Sequence, residues 1–165
     1  MSFRIHDHNP GDAVEEAFLR IQRERMADVP ILNLALSVEA IDFQRWQGCW
    51  LGIVVAPWCM SVLLIPGNTE NWIATGENKR RFVKFPAGDF AFLGSDEVEV
   101  GEYQSCSLFS PMDKFSTQSE ATMTARASMI ALLTSSQPSL AQPKTRTKKD
   151  ADEPSVSRRR FFALR

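Results

Sequence analysis

The stretch Cys49-Trp50-Leu51-Gly52-Ile53-Val54-Val55-Ala56-Pro57-Trp58-Cys59-Met60-Ser61-Val62-Leu63-Leu64-Ile65-Pro66-Gly67 decides the fold class. Its first eight residues form a nearly continuous apolar run rich in β-branched side chains, as a buried strand would be. Ser61–Ile65 is a second, shorter run, closed by the turn signal Pro66-Gly67. The apolar stretch Leu51–Ile65 is broken by Pro57 and falls short of the ~20 residues that a membrane-spanning helix needs. Strands therefore carry this part of the chain.

Outward from that centre the same signals continue. Upstream, Gln47-Gly48 permits a tight turn, and Leu36–Phe43 alternates Leu36, Val38 and Ala40 with Ser37 and Glu39. Downstream, Arg81–Phe85 and Phe90–Leu93 flank Pro86-Ala87-Gly88-Asp89, which reads as a hairpin loop. Gly94-Ser95-Asp96 reads as a further hairpin turn, and Val98–Ser110 as one long strand with room for a bulge. The links are too short for parallel crossovers, so the pattern predicts a meander of about six mostly antiparallel strands.

Helical spacing brackets the strands. Asn9-Pro10-Gly11-Asp12 reads as a helix start, followed by Val14, Phe18 and Ile21 on one side and Glu15, Glu16, Arg20, Arg23 and Glu24 on the other. Pro30 is expected to end this helix. A second helix is expected over Ser116–Thr134, capped by Ser116, with Ala121, Ala125, Met129 and Leu132 as its apolar stripe. The predicted class is α+β: a flexible N-terminus over 1–9, one α+β domain over 10–135, and a disordered basic tail over 136–165. Ser, Pro, Gln, Thr and Lys dominate that tail, and almost no apolar residue occurs before Val156.

Bulk properties narrow the function classes. With 165 residues, 44% hydrophobic and 24% charged, the chain suits a single globular domain that needs no staples. Its net charge of -1 conceals a division: residues 137–165 carry eight Lys/Arg and three Asp/Glu, a net +5, which leaves -6 on the rest. A nucleic-acid role would have to use the Lys144–Lys149 cluster and the terminal arginines, where stacking aromatics are lacking until Phe161. Met1–His8 is polar and has no apolar signal core, and Cys49, Cys59 and Cys106 are odd in number and widely spaced. Both features predict a cytoplasmic protein with reduced thiols.

Catalytic constellations are not evident. His6 and His8 flank Asp7 near the start, a spacing that two imidazoles on a loose segment cannot turn into a fixed metal site. The phosphate-binding patterns G-x-x-x-x-G-K-[ST] and G-x-G-x-x-G do not occur, and no cofactor is expected. Cys59, in Pro57-Trp58-Cys59-Met60, has an apolar setting that raises a thiol pKa. Cys106, in Tyr103-Gln104-Ser105-Cys106-Ser107-Leu108-Phe109-Ser110-Pro111-Met112, reads either as core filler or as a ligand-contacting thiol. A thiol or redox protein acting through Cys106 is thus the alternative function, and it requires a low thiol pKa. Trp46, Trp50, Trp58 and Trp72 read first as core and second as the lining of a groove. Ser157-Arg158-Arg159-Arg160-Phe161-Phe162 matches the S-R-R-x-F-[LF] pattern of twin-arginine export signals, but at the wrong end of the chain to act as one.

Several motifs in order resemble one family. Arg25-Met26, Val29-Pro30-Ile31-Leu32-Asn33, Ala35-Leu36 and Val38-Glu39-Ala40 come first, then Trp46-Gln47-Gly48-Cys49-Trp50-Leu51-Gly52 and Ala56-Pro57-Trp58-Cys59-Met60. Leu64-Ile65-Pro66-Gly67, Trp72, Phe85-Pro86-Ala87-Gly88 and Tyr103–Met112 follow. Over about Phe18–Leu133 this succession resembles the HybE/HupJ/HoxT family of [NiFe]-hydrogenase assembly chaperones, and the Arg-Arg-x-Phe ending is similar to that of some members. The resemblance implies a small non-catalytic α+β chaperone that binds precursors of the small iron–sulfur subunit, the large subunit, or both, in concert with other maturation proteins. It would delay export of the twin-arginine-bearing small subunit until cofactors are in place. Rubredoxin-like modules fused to some relatives need C-x-x-C pairs, which this sequence does not contain. The family supplies no catalytic residues to carry over. The expected client-contacting residues are Trp46, Trp50, Trp58, Met60, Cys106, Phe109, Pro111 and Met112. Arg158, Arg159 and Phe161 are the expected mimic of a client's signal.

Overall fold

The computed structural model describes residues 3–135. Its elements run α1 (Gly11–Glu24), β1 (Glu39–Trp46), β2 (Cys49–Ala56), β3 (Cys59–Pro66), β4 (Arg80–Phe85), β5 (Gly88–Glu97), β6 (Gly101–Phe109) and α2 (Gln118–Leu132). The six strands form one antiparallel sheet, so the α+β class and the flanking helices are as the sequence implies.

The deciding stretch forms β2 and β3, paired in register from Cys49 against Pro66 to Ala56 against Cys59. All eight residues of β2 are buried because each face of the sheet is covered by a helix. Leu51, Ile53 and Val55 pack with Ala121, Ala125, Met129 and Leu132 of α2. Trp50, Val54 and Ala56 pack with Val14, Ala17 and Phe18 of α1. An antiparallel strand normally alternates because one face meets water; here both faces meet helices, and the alternation disappears.

Strand order is β1-β2-β3-β6-β5-β4, which corrects the expected single meander. Two three-stranded meanders meet through β3 and β6, and the 67–79 link carries the chain across to the far edge. That link is anchored on Gln104, a fully buried side chain whose Nε2 donates to the Ile73 carbonyl at 2.7 Å and to Thr75 Oγ1 at 2.8 Å. Gly94-Ser95-Asp96, expected as a turn, lies inside β5; the chain reverses instead at residues 98–100. At the other hairpin, Gln47 and Gly48 both have positive φ, 50° and 78°, as a two-residue turn between twisted strands favours. A bulge between Ile41 and Gln44 lets the Phe43 ring lie over Gly52, where a Cβ would collide with it.

Helix ends differ from expectation in informative ways. Asn9 Oδ1 accepts from the Gly11 N–H at 2.8 Å and starts α1, but the helix stops at Glu24, well before Pro30. For α2 the cap is Thr117 rather than Ser116: its hydroxyl accepts from the Glu120 N–H, and the Glu120 carboxylate accepts from the Ser116 N–H. The segment ahead of α1, expected to be loose, carries specific bonds. His6 N–H donates to the Pro66 carbonyl, the Trp50 indole donates to the His6 carbonyl, and the Arg4 guanidinium reaches the carbonyls of Val98 and Glu99. Among the described residues no helix is long and apolar enough to cross a membrane.

Candidate functional site

Three segments that never form regular structure together meet beside the β2–β3 turn: the turn itself at Pro57-Trp58, the loop 25–38, and the stretch after β6. Asn33 binds them. Its N–H donates to the Pro57 carbonyl at 2.9 Å, and its Nδ2 donates to the carbonyls of Met112 at 2.9 Å and Phe115 at 2.7 Å. Its Oδ1 accepts from the Ala35 N–H, turning the loop back on itself. Ser110, which precedes Pro111 through a cis peptide, donates from its hydroxyl to the Trp58 carbonyl.

The loop so pinned turns apolar side chains outward. A groove of about 550 Å³ runs between Pro30, Ile31 and Leu34 on one wall and Pro111 and Phe115 on the other. A second hollow of about 470 Å³ continues from Leu32 and Leu34 to Leu19 of α1. Leu34 is 83% exposed, Ile31 47% and Leu19 46%. Asp113 and Arg23 stand among the residues lining the two hollows, and exposed apolar side chains beside charged ones are what an interaction surface would present. Phe115 of this groove meets Phe109 edge-on at 5.3 Å, with the Lys114 ammonium 4.7 Å above the Phe109 ring, and at the β2–β3 turn Trp58 stacks on Phe18 at 6.0 Å.

Of the eight residues expected to touch a client, Pro111 lines the groove, while Trp58 at the β2–β3 turn and Phe109 at the end of β6 lie outside its lining; all three keep exposed surface. Met60 and Met112 are fully buried beneath them, which corrects their assignment: they support the site and offer no area to a partner. Trp50 is buried under the Arg45 guanidinium, 4.4 Å from its ring. Trp46 stacks on Phe85 at 4.4 Å beside the β1–β2 turn, at the other end of β2. Cys106 is half-buried and packs against the α2-side core. Arg158, Arg159 and Phe161 lie outside the described residues. Pro30, Ile31, Leu34 and Leu19 were not anticipated. Their signal in the sequence was only Pro30, Ile31 and Leu34 between helix and strand, with no period to explain them, and Leu19 off the apolar side of α1.

Thiol chemistry finds no support. Burial raises the pKa of all three cysteines, pushing Cys59 to about 11 against a hydrogen bond from Ser61 that works the other way. Reactive thiols need the opposite shift. The charged groups near α1 act structurally. Arg20 pairs with Glu97 and Glu99 at 2.7 Å each, and Arg25 joins Glu97 at 2.9 Å, tying the helix to the β5–β6 hairpin. Burial works to raise the Glu97 carboxyl, but hydrogen bonds from Arg25 and Arg20 outweigh it and hold it below the usual range; the Arg20 hydrogen bond does the same for Glu99.

Comparison with known proteins agrees with this architecture. A solved structure, HybE from Escherichia coli in solution, superposes with a TM-score of 0.67 over 98% of this chain and 94% of that one, at 26% identity. The hydrogenase expression/formation protein HupJ of Bradyrhizobium diazoefficiens is 36% identical over 152 residues, covering 92% of this chain and 86% of the relative. HoxT of Cupriavidus necator is 39% identical over 125 residues, 68% of this chain and 69% of that protein. A probable rubredoxin HupJ of Rhodobacter capsulatus is 38% identical over 115 residues, but the match spans only 41% of its length. The family described as "[NiFe]-hydrogenase assembly, chaperone, HybE" matches residues 9–164. This chain belongs to the HybE family of [NiFe]-hydrogenase assembly chaperones.

Proposed function

We propose that the chain holds a precursor subunit of a [NiFe] hydrogenase in the cytoplasm through the groove between Ile31–Leu34 and Pro111–Phe115. The observation that carries this reading is Leu34: a large apolar side chain almost wholly in water, on a loop that Asn33 bolts to two other segments. Ordering an exposed leucine has no benefit for the fold alone. A prealigned apolar wall does benefit binding, because less freedom remains to be lost on contact. Assembly needs no nucleophile, only adaptable contact area and a client that can leave.

The small subunit's twin-arginine signal is the client segment we favour. The net -6 on residues 1–136 attracts an arginine pair and speeds encounter. The Arg158-Arg159-Arg160-Phe161-Phe162 match makes the chain's own tail a competitor for the same surface. Co-purification of the tagged chain with small- and large-subunit precursors, each with and without the signal, tests the reading. Signal-dependent capture of the small subunit supports export proofreading, and capture of neither precursor removes the proposal. Deleting Ser157–Arg165 should tighten binding of a signal peptide, and unchanged affinity would remove the competition.

A further inference from the structure

At the opposite end of β6 from Phe109, two acidic residues stand directly across from each other. Asp96 of β5 and Glu102 of β6 are register partners, so their side chains share one face of the sheet. Like charges so placed repel and weaken a hairpin unless something lies between them. Glu102 is only 4% exposed. Its Oε2 accepts from the Trp72 indole N–H at 3.0 Å, while its Oε1 is buried and has no hydrogen-bond partner among the described residues. Two residues along the same strand Gln104, equally buried, has every bond it can be expected to make. The contrast isolates Glu102 as a group prepared for a donor that the fold does not provide.

Both acids line a cleft of about 310 Å³ with Phe3, Arg4 and Gly101. Arg4, the cation that lines this cleft, is already committed: its guanidinium donates to the Glu99 carbonyl at 2.6 Å and the Val98 carbonyl at 3.0 Å. Among the described residues neither Asp96 nor Glu102 has an ion-pair partner.

We infer that this cleft is a binding site for a guanidinium group, bridged between Asp96 and Glu102. Two carboxyls exclude an anion. They are too few for calcium, which takes about six to eight oxygens, and magnesium keeps near-octahedral geometry and sheds its water reluctantly. Between organic cations, the planar guanidinium offers five donors in a fixed fork and is less strongly hydrated than an ammonium, so it spans an exposed carboxylate, Asp96, and a buried one, Glu102, at lower cost. The Phe3 ring, itself held 6.3 Å from Trp72, adds an aromatic wall of the kind cations favour. The guanidinium has two available sources, an arginine of another protein or Arg158–Arg160 of this chain.

The indole N–H of Trp72 reports directly on Glu102 and makes the test local. In the full-length, ¹⁵N-labelled chain the Trp72 indole resonance is followed during titration with N-acetyl-arginine amide, N-acetyl-lysine amide and calcium chloride. The arginine compound should move that resonance saturably and bind about tenfold more tightly than the lysine compound. Asp96→Asn, which leaves the Trp72 bond in place, should weaken arginine binding by about tenfold, the usual scale for losing one charge-assisted hydrogen bond. A folded Glu102→Gln chain should show no saturable shift. With Arg158, Arg159 and Arg160 replaced by Gln, a displaced Trp72 resonance and tighter arginine binding identify the chain's own tail as the source; an unchanged spectrum identifies a partner. No saturable shift with arginine, or equal responses to arginine, lysine and calcium, overturns the assignment.

Discussion

The side-chain amide of Asn33 donates to the main-chain carbonyl of Met112 at 2.9 Å, joining residues 79 positions apart in sequence. Met112 is fully buried, so its carbonyl is a fixed point to which an otherwise irregular loop is tied. The consequence reaches the surface. With Asn33 bonded inward, Ile31 and Leu34 on either side of it face outward, 47% and 83% exposed.

Replacing Asn33 by Ala strands the carbonyls of Met112 and Phe115. The variant should lose about 1–3 kcal/mol of unfolding free energy, the cost of leaving buried acceptors unpaired. Urea unfolding followed by tryptophan fluorescence measures it. Removing Leu34, only three bonds of chain away in the same loop but exposed, should cost less than about 0.5 kcal/mol.

Gly52 and Phe43 form a matched pair across β1 and β2. Gly52→Ala places a methyl group into the Phe43 ring and should destabilise the chain by about 1–3 kcal/mol, as overpacking does. Combining it with Phe43→Ala should cost less than the sum of the single changes. Strict additivity in a double-mutant cycle would show that the two side chains do not compete for that space.

Acid should loosen α1 from the β5–β6 hairpin. Glu97 and Glu99 have folded-state pKa values below the ordinary carboxylate range, held there by Arg25 and Arg20. Their contribution is therefore complete above the unfolded value of about 4.3 and disappears as pH falls through the depressed folded values. Arg20→Ala should flatten that acid limb of the stability profile and leave the slope between pH 6 and 8 unchanged.

The thiols should be sluggish. With its pKa pushed to about 11, Cys59 is about one-thousandth thiolate at pH 8, and its alkylation rate should rise about tenfold per pH unit above that and level off only near pH 11. Cys106, also raised by burial, should react more slowly at pH 8 than free cysteine. A fast phase assigned to Cys106 by mass spectrometry would restore the redox alternative.

Much of the framework was legible because it repeats. The apolar runs of β2 and β3, the glycine turn at Gly48 and the Ala121–Ala125–Met129–Leu132 stripe each carry a period or a turn residue that local chemistry dictates. The union of β3 with β6 was not legible, since it depends on Gln104 gripping the 67–79 link from far away in sequence. Of the expected contact residues, Pro111 alone lines the groove. Trp58, Phe109 and Pro111 drew notice as unusual residues near strand ends, whereas Met60 and Met112 looked the same in sequence but point into the core. Ile31 and Leu34 escaped because an exposed apolar residue in a loop has no pattern to break. Only the geometry around Asn33 shows that the loop carrying them is tied to Pro57, Met112 and Phe115.

Capture of a hydrogenase precursor by a groove variant tests the central claim most directly. Ile31→Ser combined with Leu34→Ser changes exposed side chains and should leave the thermal midpoint close to that of the unaltered chain. In a pull-down of small- and large-subunit precursors, the unaltered chain should retain at least one of them. The double variant should retain about tenfold less, as loss of an apolar anchor from an interface implies. Equal capture by a folded double variant would contradict the account and move the client surface elsewhere on the molecule.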